Sequence, residues 1–250
     1  MDVYIERTGS GEPILFVHGA GGNSEYWYYQ KEYLKKHMEV LTIDLPGHGR
    51  STGNGCRSID EFRETIREAL RGLGIEKCYM AGHSMGGAIT MSFAIACPDL
   101  LKGIVLVCTG ARLRTLPTIL EGLMKDKEAT VRTIVNYAFS RKSPEKLKEK
   151  GFRDMMQSKA ETIYNDFVAC DHFDAMNLLK AIQVPALIVC GEDDLLTPPK
   201  YSEYLHEMID NSRLALIENA GHMVMLEKPE EVNTAILTFV AETEKTLAAL

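Results

Sequence analysis

CYMAGHSMGGA, residues 78–88, decides how this chain reads. Its first five residues are an apolar, strand-like run that stops at Gly82. From Gly86 the stretch GGAITMSFAIA has a helical pattern, and Pro98 ends it. Ser84 therefore sits where a strand turns into a helix. G-x-S-x-G at such a junction is a nucleophile elbow. The sharp turn imposes strained backbone angles on the serine, and Gly82 and Gly86 remove side chains that would clash. The helix begins with its positive end toward the serine, which favours a developing anion. A free serine hydroxyl is a feeble nucleophile at neutral pH, so the chain must also supply a base.

Outward from this stretch, apolar runs alternate with helical patterns. PILFVHG (13–19), EVLTIDL (39–45), GIVLVC (103–108), PALIVCG (185–191) and RLALIE (213–218) read as further strands. Between them lie EYWYYQKEYLKK, SIDEFRETIREALRGLG, YSEYLHEMI and a long closing helix from Pro229. Ser58 and Glu61 form a capping box at the start of the second of these, and Gly72 and Gly74 supply its stop. The strand runs are nearly continuous in apolar residues. That marks a parallel sheet covered by helices on both faces, hence a doubly wound α/β fold. Such sheets carry their ligand sites at the carboxyl ends of the strands.

Residues 113–181 break the rhythm. They contain no strand but show helix-like stretches: PTILEGLMK, ATVRTIVNYAF and SPEKLKEKGFRDMMQSKAETIYNDFVA. The expected organisation is a core of residues 1–112 and 182–250, with 113–181 as a helical cap inserted before the penultimate core strand.

With 250 residues, 45% apolar and 25% charged, the composition is that of an ordinary globular protein with room for a large core. A net charge of −7 argues against a nucleic-acid partner. The basic run Arg141 to Arg153 is interleaved with Glu145 and Glu149 and reads as a solvated helix face. No apolar run nears the roughly 20 residues that span a bilayer, and the opening residues show no targeting pattern. Six scattered cysteines without a CxxC pair read as free thiols. The expectation is a cytoplasmic protein without disulfides.

Seven histidines compete for the role of base. His83 adjoins Ser84, but neighbours on an extended turn point apart. His18 and His48 lie in FVHGAGG and DLPGHGRS and read as structural groups. His37, His172 and His206 fall on helix or cap patterns. His222, in ENAGHMV, follows the last strand on a loop at the carboxyl edge of the sheet, where it can reach Ser84. A base needs an orienting carboxylate. The strand PALIVCG runs into EDDLLTPP, so Glu192, Asp193 and Asp194 all stand at its carboxyl end, whereas VLVCTGAR offers no acid.

FVHGAGG, DLPGHGRS, GHSMGG, CGEDDLLTP and AGH together resemble the α/β-hydrolase family, over essentially the whole chain and in its order of Ser, Asp and His. The resemblance implies an α/β-hydrolase fold. It places the acid three residues after Gly191, which is Asp194, and leaves Asp193 to serve the turn. It also implies an oxyanion hole from the N–H groups of Met85 and Ala20, the latter in preference to Gly21. The pattern is that of carboxylesterase and monoacylglycerol-lipase-like members, which need no cofactor.

The expected activity is hydrolysis of carboxylic esters of small to medium apolar molecules through an acyl-enzyme, with a small-molecule ester as substrate, no nucleic-acid partner and no membrane span. Trp27, Met223, Phe152 and Met156 are candidate pocket residues, on the ground that such sites are lined by apolar side chains. A serine at 84, where dehalogenases and epoxide hydrolases carry an aspartate, argues against their chemistry. Lactone, thioester or C–C bond hydrolysis and cofactor-free peroxidation use a similar triad. A receptor-like binding protein of the same fold is the alternative of another class. No HExxH and no ligand spacing among the histidines point to a metal.

Overall fold

The computed structural model describes residues 3–248. Seven strands form one sheet: β1 Tyr4–Gly9, β2 Pro13–Val17, β3 Glu39–Asp44, β4 Cys78–His83, β5 Leu101–Val107, β6 Ala186–Gly191 and β7 Ser212–Ile217. Their order is β1-β3-β2-β4-β5-β6-β7. All neighbours are parallel except β1, which pairs antiparallel with β3. The chain steps from β2 to β3 on one side and then crosses to β4 on the other. The sheet therefore has its topological switch point between β2 and β4, and a ligand crevice belongs at their carboxyl ends.

The apolar runs of β2 to β6 are buried on both faces, as their continuity requires, whereas the edge strand β7 is only partly buried and leaves Leu216 exposed. Ile14, Phe16, Tyr79, Ala81, Val105, Val107 and Val189 point into one cluster, with Leu34 of helix α1 (Tyr28–Leu34) and Ile236 and Phe239 of helix α10 (Pro229–Leu247). Leu15, Val17, Met80, Ile104, Leu106 and Ile188 point into the other. There they meet helix α2 (Ile59–Gly72), helix α3 (Met85–Ala96) and helix α8 (Pro199–Met208). The four-residue helix α9 (Val224–Glu227) precedes α10.

Strand β1 carries no continuous apolar run. It is an edge strand with Glu6 and Arg7 in its middle, and charged edges resist pairing with other chains. The same charges hide it from a reading based on buried runs. At α2 the Ser58 hydroxyl accepts the Glu61 N–H at 3.2 Å, but the Glu61 carboxylate takes the Arg57 N–H at 3.0 Å, one residue before the position a full capping box would use. Gly74, at φ +68°, ends the helix in the left-handed conformation that glycine adopts without a steric penalty.

Between β5 and β6 lie four α-helices, α4 Pro117–Lys125, α5 Lys127–Ala138, α6 Glu145–Gln157 and α7 Ala160–His172, and a short 3-10 turn at Leu179–Ala181. The longest of the three helix-like stretches in the sequence is thus two helices. Ser158 and Lys159 have extended backbone (ψ 144° and 148°) and break it. Among the described residues no helix is long and apolar enough to cross a membrane. All six cysteines are free.

Candidate active site

Ser84 has φ +53° and ψ −115°, a conformation costly for any residue with a Cβ. Its surroundings hold it there. Its N–H donates to Val107 O at 2.9 Å, and its carbonyl accepts from Gly87 N at 2.9 Å and from the Thr109 hydroxyl at 2.8 Å. The glycines are required by contact. A Cβ on Gly82 would lie 2.0 Å from Gly86 O, and one on Gly86 would lie 2.3 Å from Val17 O. Gly19, at the end of β2, comes so close that its Cβ would meet Ser84 Cβ at 3.1 Å. The switch point of the sheet and the strained serine therefore coincide.

The carboxyl end of β6 is pressed just as closely against the loop that carries His222. A Cβ on Gly191 would strike Ala220 O at 2.3 Å and Gly221 O at 2.4 Å. This contact brings Asp194 and His222 together: His222 Nδ1 and Asp194 Oδ2 are 2.9 Å apart, with both side chains buried. Asp194 also accepts the N–H groups of Leu196 and Thr197 and the Thr197 hydroxyl, each at 2.9 Å. The Thr197 oxygen stands 3.1 Å from His222 Nδ1 and completes a small ring of contacts. Burial alone would raise the Asp194 pKa; the His222 partner and these donors outweigh it and hold the carboxyl below its ordinary value.

Asp193 faces elsewhere. Its carboxylate accepts the Ser140 hydroxyl at 2.6 Å, so its partner lies in the segment between α5 and α6. Serving the turn after β6 is not its whole part. Glu192 and Glu218 are exposed. His83 Nε2 lies 2.9 Å from His222 O, so His83 braces the backbone of the other histidine. Among the described residues neither Ser84 Oγ nor His222 Nε2 has a protein hydrogen-bond partner.

The loop after β2 is a tight turn, closed by Gly22 N donating to Gly19 O at 3.1 Å, with Ala20 and Gly21 at its centre. Among the described residues the Ala20 and Met85 N–H groups have no protein acceptor. The Gly21 N–H does: it donates to Asp166 Oδ2 at 2.8 Å. His18 is buried with its Nε2 accepting the Leu45 N–H at 3.0 Å, and burial pushes its pKa down to about 3. Asp44 explains much of DLPGHGRS. It accepts the N–H groups of Ser24 at 2.8 Å and Arg50 at 2.9 Å, and it approaches Gly49 so closely that a Cβ there would overlap it.

The candidate pocket residues are spread around the site. Trp27 is fully buried, with ring centroids 4.8 Å from Phe16 and 6.5 Å from His83. Met223 is buried next to His222, its N–H donating to Ala138 O at 3.1 Å. Phe152 and Met156 are half-buried in α6, and the Arg132 guanidinium lies 3.5 Å from the Phe152 ring centroid. The α6 residue that reaches the β2 loop is Met155: its methyl would be 2.7 Å from a Cβ on Gly21. Glu227 was missed by sequence reasoning. It accepts Gly221 N at 3.0 Å and Ser140 N at 2.9 Å, tying the His222 loop to the α5–α6 segment. Among the described residues, the group whose ligand atoms converge is Cys108, Asp194 and His222, within 4.8 Å of one another. Two of those three already bond each other, and burial holds the Cys108 thiol in its neutral form.

A strained serine at a strand–helix turn, with a buried Asp–His pair carried by the loops after β6 and β7, defines a class of α/β hydrolases. Comparison with known proteins agrees. The model of the alpha/beta hydrolase fold family matches residues 12–229, and the chain belongs to that family. The (E)-2-((N-methylformamido)methylene)succinate hydrolase of Acinetobacter baylyi is 31% identical, over 96% of this chain and 94% of that protein. The structure of a thermophilic esterase is 35% identical, with a TM-score of 0.86 over 96% of this chain and 94% of that one. A malate-bound esterase from Thermogutta terrifontis is 26% identical, with a TM-score of 0.87 over 96% and 93%.

Proposed function

We propose that the protein hydrolyses carboxylic esters of small to medium apolar molecules by way of an acyl-enzyme on Ser84. The observation that carries this reading is the conformation of Ser84, held at φ +53° beside the Asp194–His222 pair. In this reading Ser84 Oγ attacks the ester carbonyl while His222 Nε2 takes its proton. Asp194 keeps the Nδ1 proton in place and stabilises the imidazolium that forms. The carbonyl oxygen becomes an oxyanion and accepts hydrogen bonds from the Ala20 and Met85 N–H groups, which otherwise lack protein acceptors. Collapse of the tetrahedral intermediate breaks the ester C–O bond, and His222 returns the proton to the departing alcohol. Water then repeats the cycle on the acyl-enzyme. Catalytic hydrogen bonds tighten as substrate enters, so the Ser84–His222 bond forms in the complex.

Residues 113–181 act as a cap over the strand ends, and Phe152, Met156 and Met223 with Trp27 shape an apolar acyl site. The esterases among the similar structures support the choice of ester over other acyl bonds.

The test is a fluorophosphonate probe read by peptide mass, alongside turnover of p-nitrophenyl esters of two to twelve carbons and of a lactone series. Labelling of Ser84 alone, with ester turnover lost in proportion, is expected. Full ester activity after labelling at another residue refutes the assignment of Ser84. Labelling of Ser84 with turnover of lactones but not esters refutes the choice of bond.

A further inference from the structure

Gly21, the neighbour of Ala20, is gripped by the inserted helices through both of its backbone polar groups. Its N–H donates to Asp166 Oδ2 at 2.8 Å, and its carbonyl accepts the Ser158 hydroxyl at 3.2 Å. It has φ +66°, and a Cβ would lie 2.7 Å from Met155 Cε and 3.4 Å from Ile163 Cγ1. Asp166, Met155, Ser158 and Ile163 all come from the segment between β5 and β6. The Gly21 N–H belongs to the rigid peptide plane that joins Ala20 to Gly21. Fixing that plane fixes one of the two torsions at the Ala20 Cα and so restricts where the Ala20 N–H points.

Asp166 is itself positioned. It is fully buried, and the same Oδ2 lies 2.7 Å from His48 Nε2. The other ring nitrogen of His48 lies 3.0 Å from Pro46 O. A carbonyl accepts only, so Nδ1 carries a proton. An ionised Asp166 also accepts only, so the pair holds a proton between Nε2 and Oδ2. Whether that proton sits on His48 or on Asp166, the pair is neutral as a unit. It therefore places no net negative charge behind the loop where an oxyanion would develop.

The geometry points to Asp166 as a positioning residue: it reaches from the inserted helices into the core, is braced by His48, and sets the Gly19–Gly22 turn that presents the Ala20 N–H to the reacting carbonyl. The inference rests on the acyl-transfer reading and on Ala20 as one of its two donors. It makes the insertion part of the reaction machinery, beyond a cover that selects substrates.

Asp166→Ala removes the acceptor of the Gly21 N–H, and Asp166→Asn keeps an oxygen acceptor in the same place. With p-nitrophenyl acetate, Asp166→Ala is expected to lower kcat about 100-fold, the scale of a misplaced reacting group or a weakened oxyanion donor, with KM changed less than about threefold. Affinity for an alkylboronic acid, whose tetrahedral serine adduct puts an oxygen in the hole, should fall in step with kcat/KM. Affinity for the corresponding carboxylate product should not change. Asp166→Asn should recover most of the loss.

An Asp166→Ala enzyme that folds and keeps kcat within about threefold of wild type overturns the inference. So does an equal loss of affinity for boronate and product, which marks a general structural effect. If Asp166→Ala does not fold, Asp166→Ser takes its place. Its hydroxyl stops short of the Oδ2 position that both Gly21 N and His48 Nε2 contact, so the Gly21 acceptor is lost while a small polar side chain remains, and the same split in kcat and KM is required of it. A wild-type protein that turns over no ester and is not labelled at Ser84 refutes the acyl-transfer reading and the inference with it. Labelling and turnover with an indifferent Asp166 refute the inference alone.

Discussion

Two buried histidine–aspartate pairs stand near the carboxyl ends of the sheet. His222 Nδ1 lies 2.9 Å from Asp194, and His48 Nε2 lies 2.7 Å from Asp166. The residue types are the same and the distances nearly so. They differ at the second ring nitrogen. In His48 it faces the Pro46 carbonyl, so both nitrogens are occupied by protein groups and neither is open to a group from outside. In His222 the second nitrogen has no protein partner among the described residues, so it is open to a group arriving from outside. The aspartate therefore does not make a base of its histidine. What the opposite nitrogen faces decides whether the pair is a lock or a proton acceptor.

The largest effect that could break this comparison comes from Asp194→Asn. An amide keeps the shape but offers an N–H where His222 Nδ1 needs an acceptor, and the wrong imidazole tautomer follows. In a serine protease the same change costs about 10⁴-fold in kcat. A loss of 10³-fold or more in kcat/KM is expected here, with the fold intact by circular dichroism. A loss under about tenfold would mean that His222 is oriented by another group, Thr197 being the nearest.

The two pairs were unequally visible in the sequence, for a physical reason. A parallel sheet buried on both faces must be written in continuous apolar runs, so β2 to β6 could be read from the sequence pattern, and the partly buried edge strand β7 still carries enough of such a run to be read. Ser84 sits in a short contiguous motif at a strand end, in which Gly82 answers a contact with Gly86 O four residues on, and Asp194 and His222 each follow a readable strand. Asp166 has no such neighbour: its partners His48 and Gly21 are 118 and 145 residues distant. The signal that could have found it is an aspartate on the apolar face of α7, in line with Ile163, Ala169 and Cys170. Asp193 was legible as an acid at a strand end, but its partner Ser140 was not, since nothing local joins the segment after α5 to the end of β6.

Asp193 offers a smaller effect that sharpens the comparison. It adjoins Asp194 but bonds the Ser140 hydroxyl at 2.6 Å. Ser140 is also held through its N–H by Glu227, so losing one contact leaves the segment anchored. Asp193→Asn should lower kcat/KM less than about tenfold on the ester for which Asp194→Asn loses 10³-fold. If the two variants lose equally, the orienting charge is shared between neighbours, and the contrast between them is false.

The smallest effect on the reaction concerns stability and separates the histidines by sign. His18 and His83 are buried as neutral rings, and burial lowers both pKa values, that of His18 to about 3. The unfolded chain takes up protons at both positions below its ordinary value near 6.5, while the native state does not. Stability must therefore fall as pH falls below about 6.5, by up to ~1.4 kcal/mol per pH unit for each ring. His48 runs the other way. Burial lowers its pKa, but the charge and hydrogen bond of Asp166 prevail and raise it above the ordinary value. Its contribution is fully present below about 6.5 and is lost as pH rises through that raised value. Asp194, held below its ordinary value, adds a further loss only at the acid extreme, as pH falls through its folded-state value. Urea unfolding midpoints taken from pH 4.5 to 9 should thus rise to a maximum near neutrality and decline beyond it. In Asp166→Asn the alkaline decline should flatten while the acid limb keeps its slope. If both limbs change together, the His48–Asp166 pair does not hold its proton separately from the other buried rings, and it is no longer the isolated lock that the geometry describes.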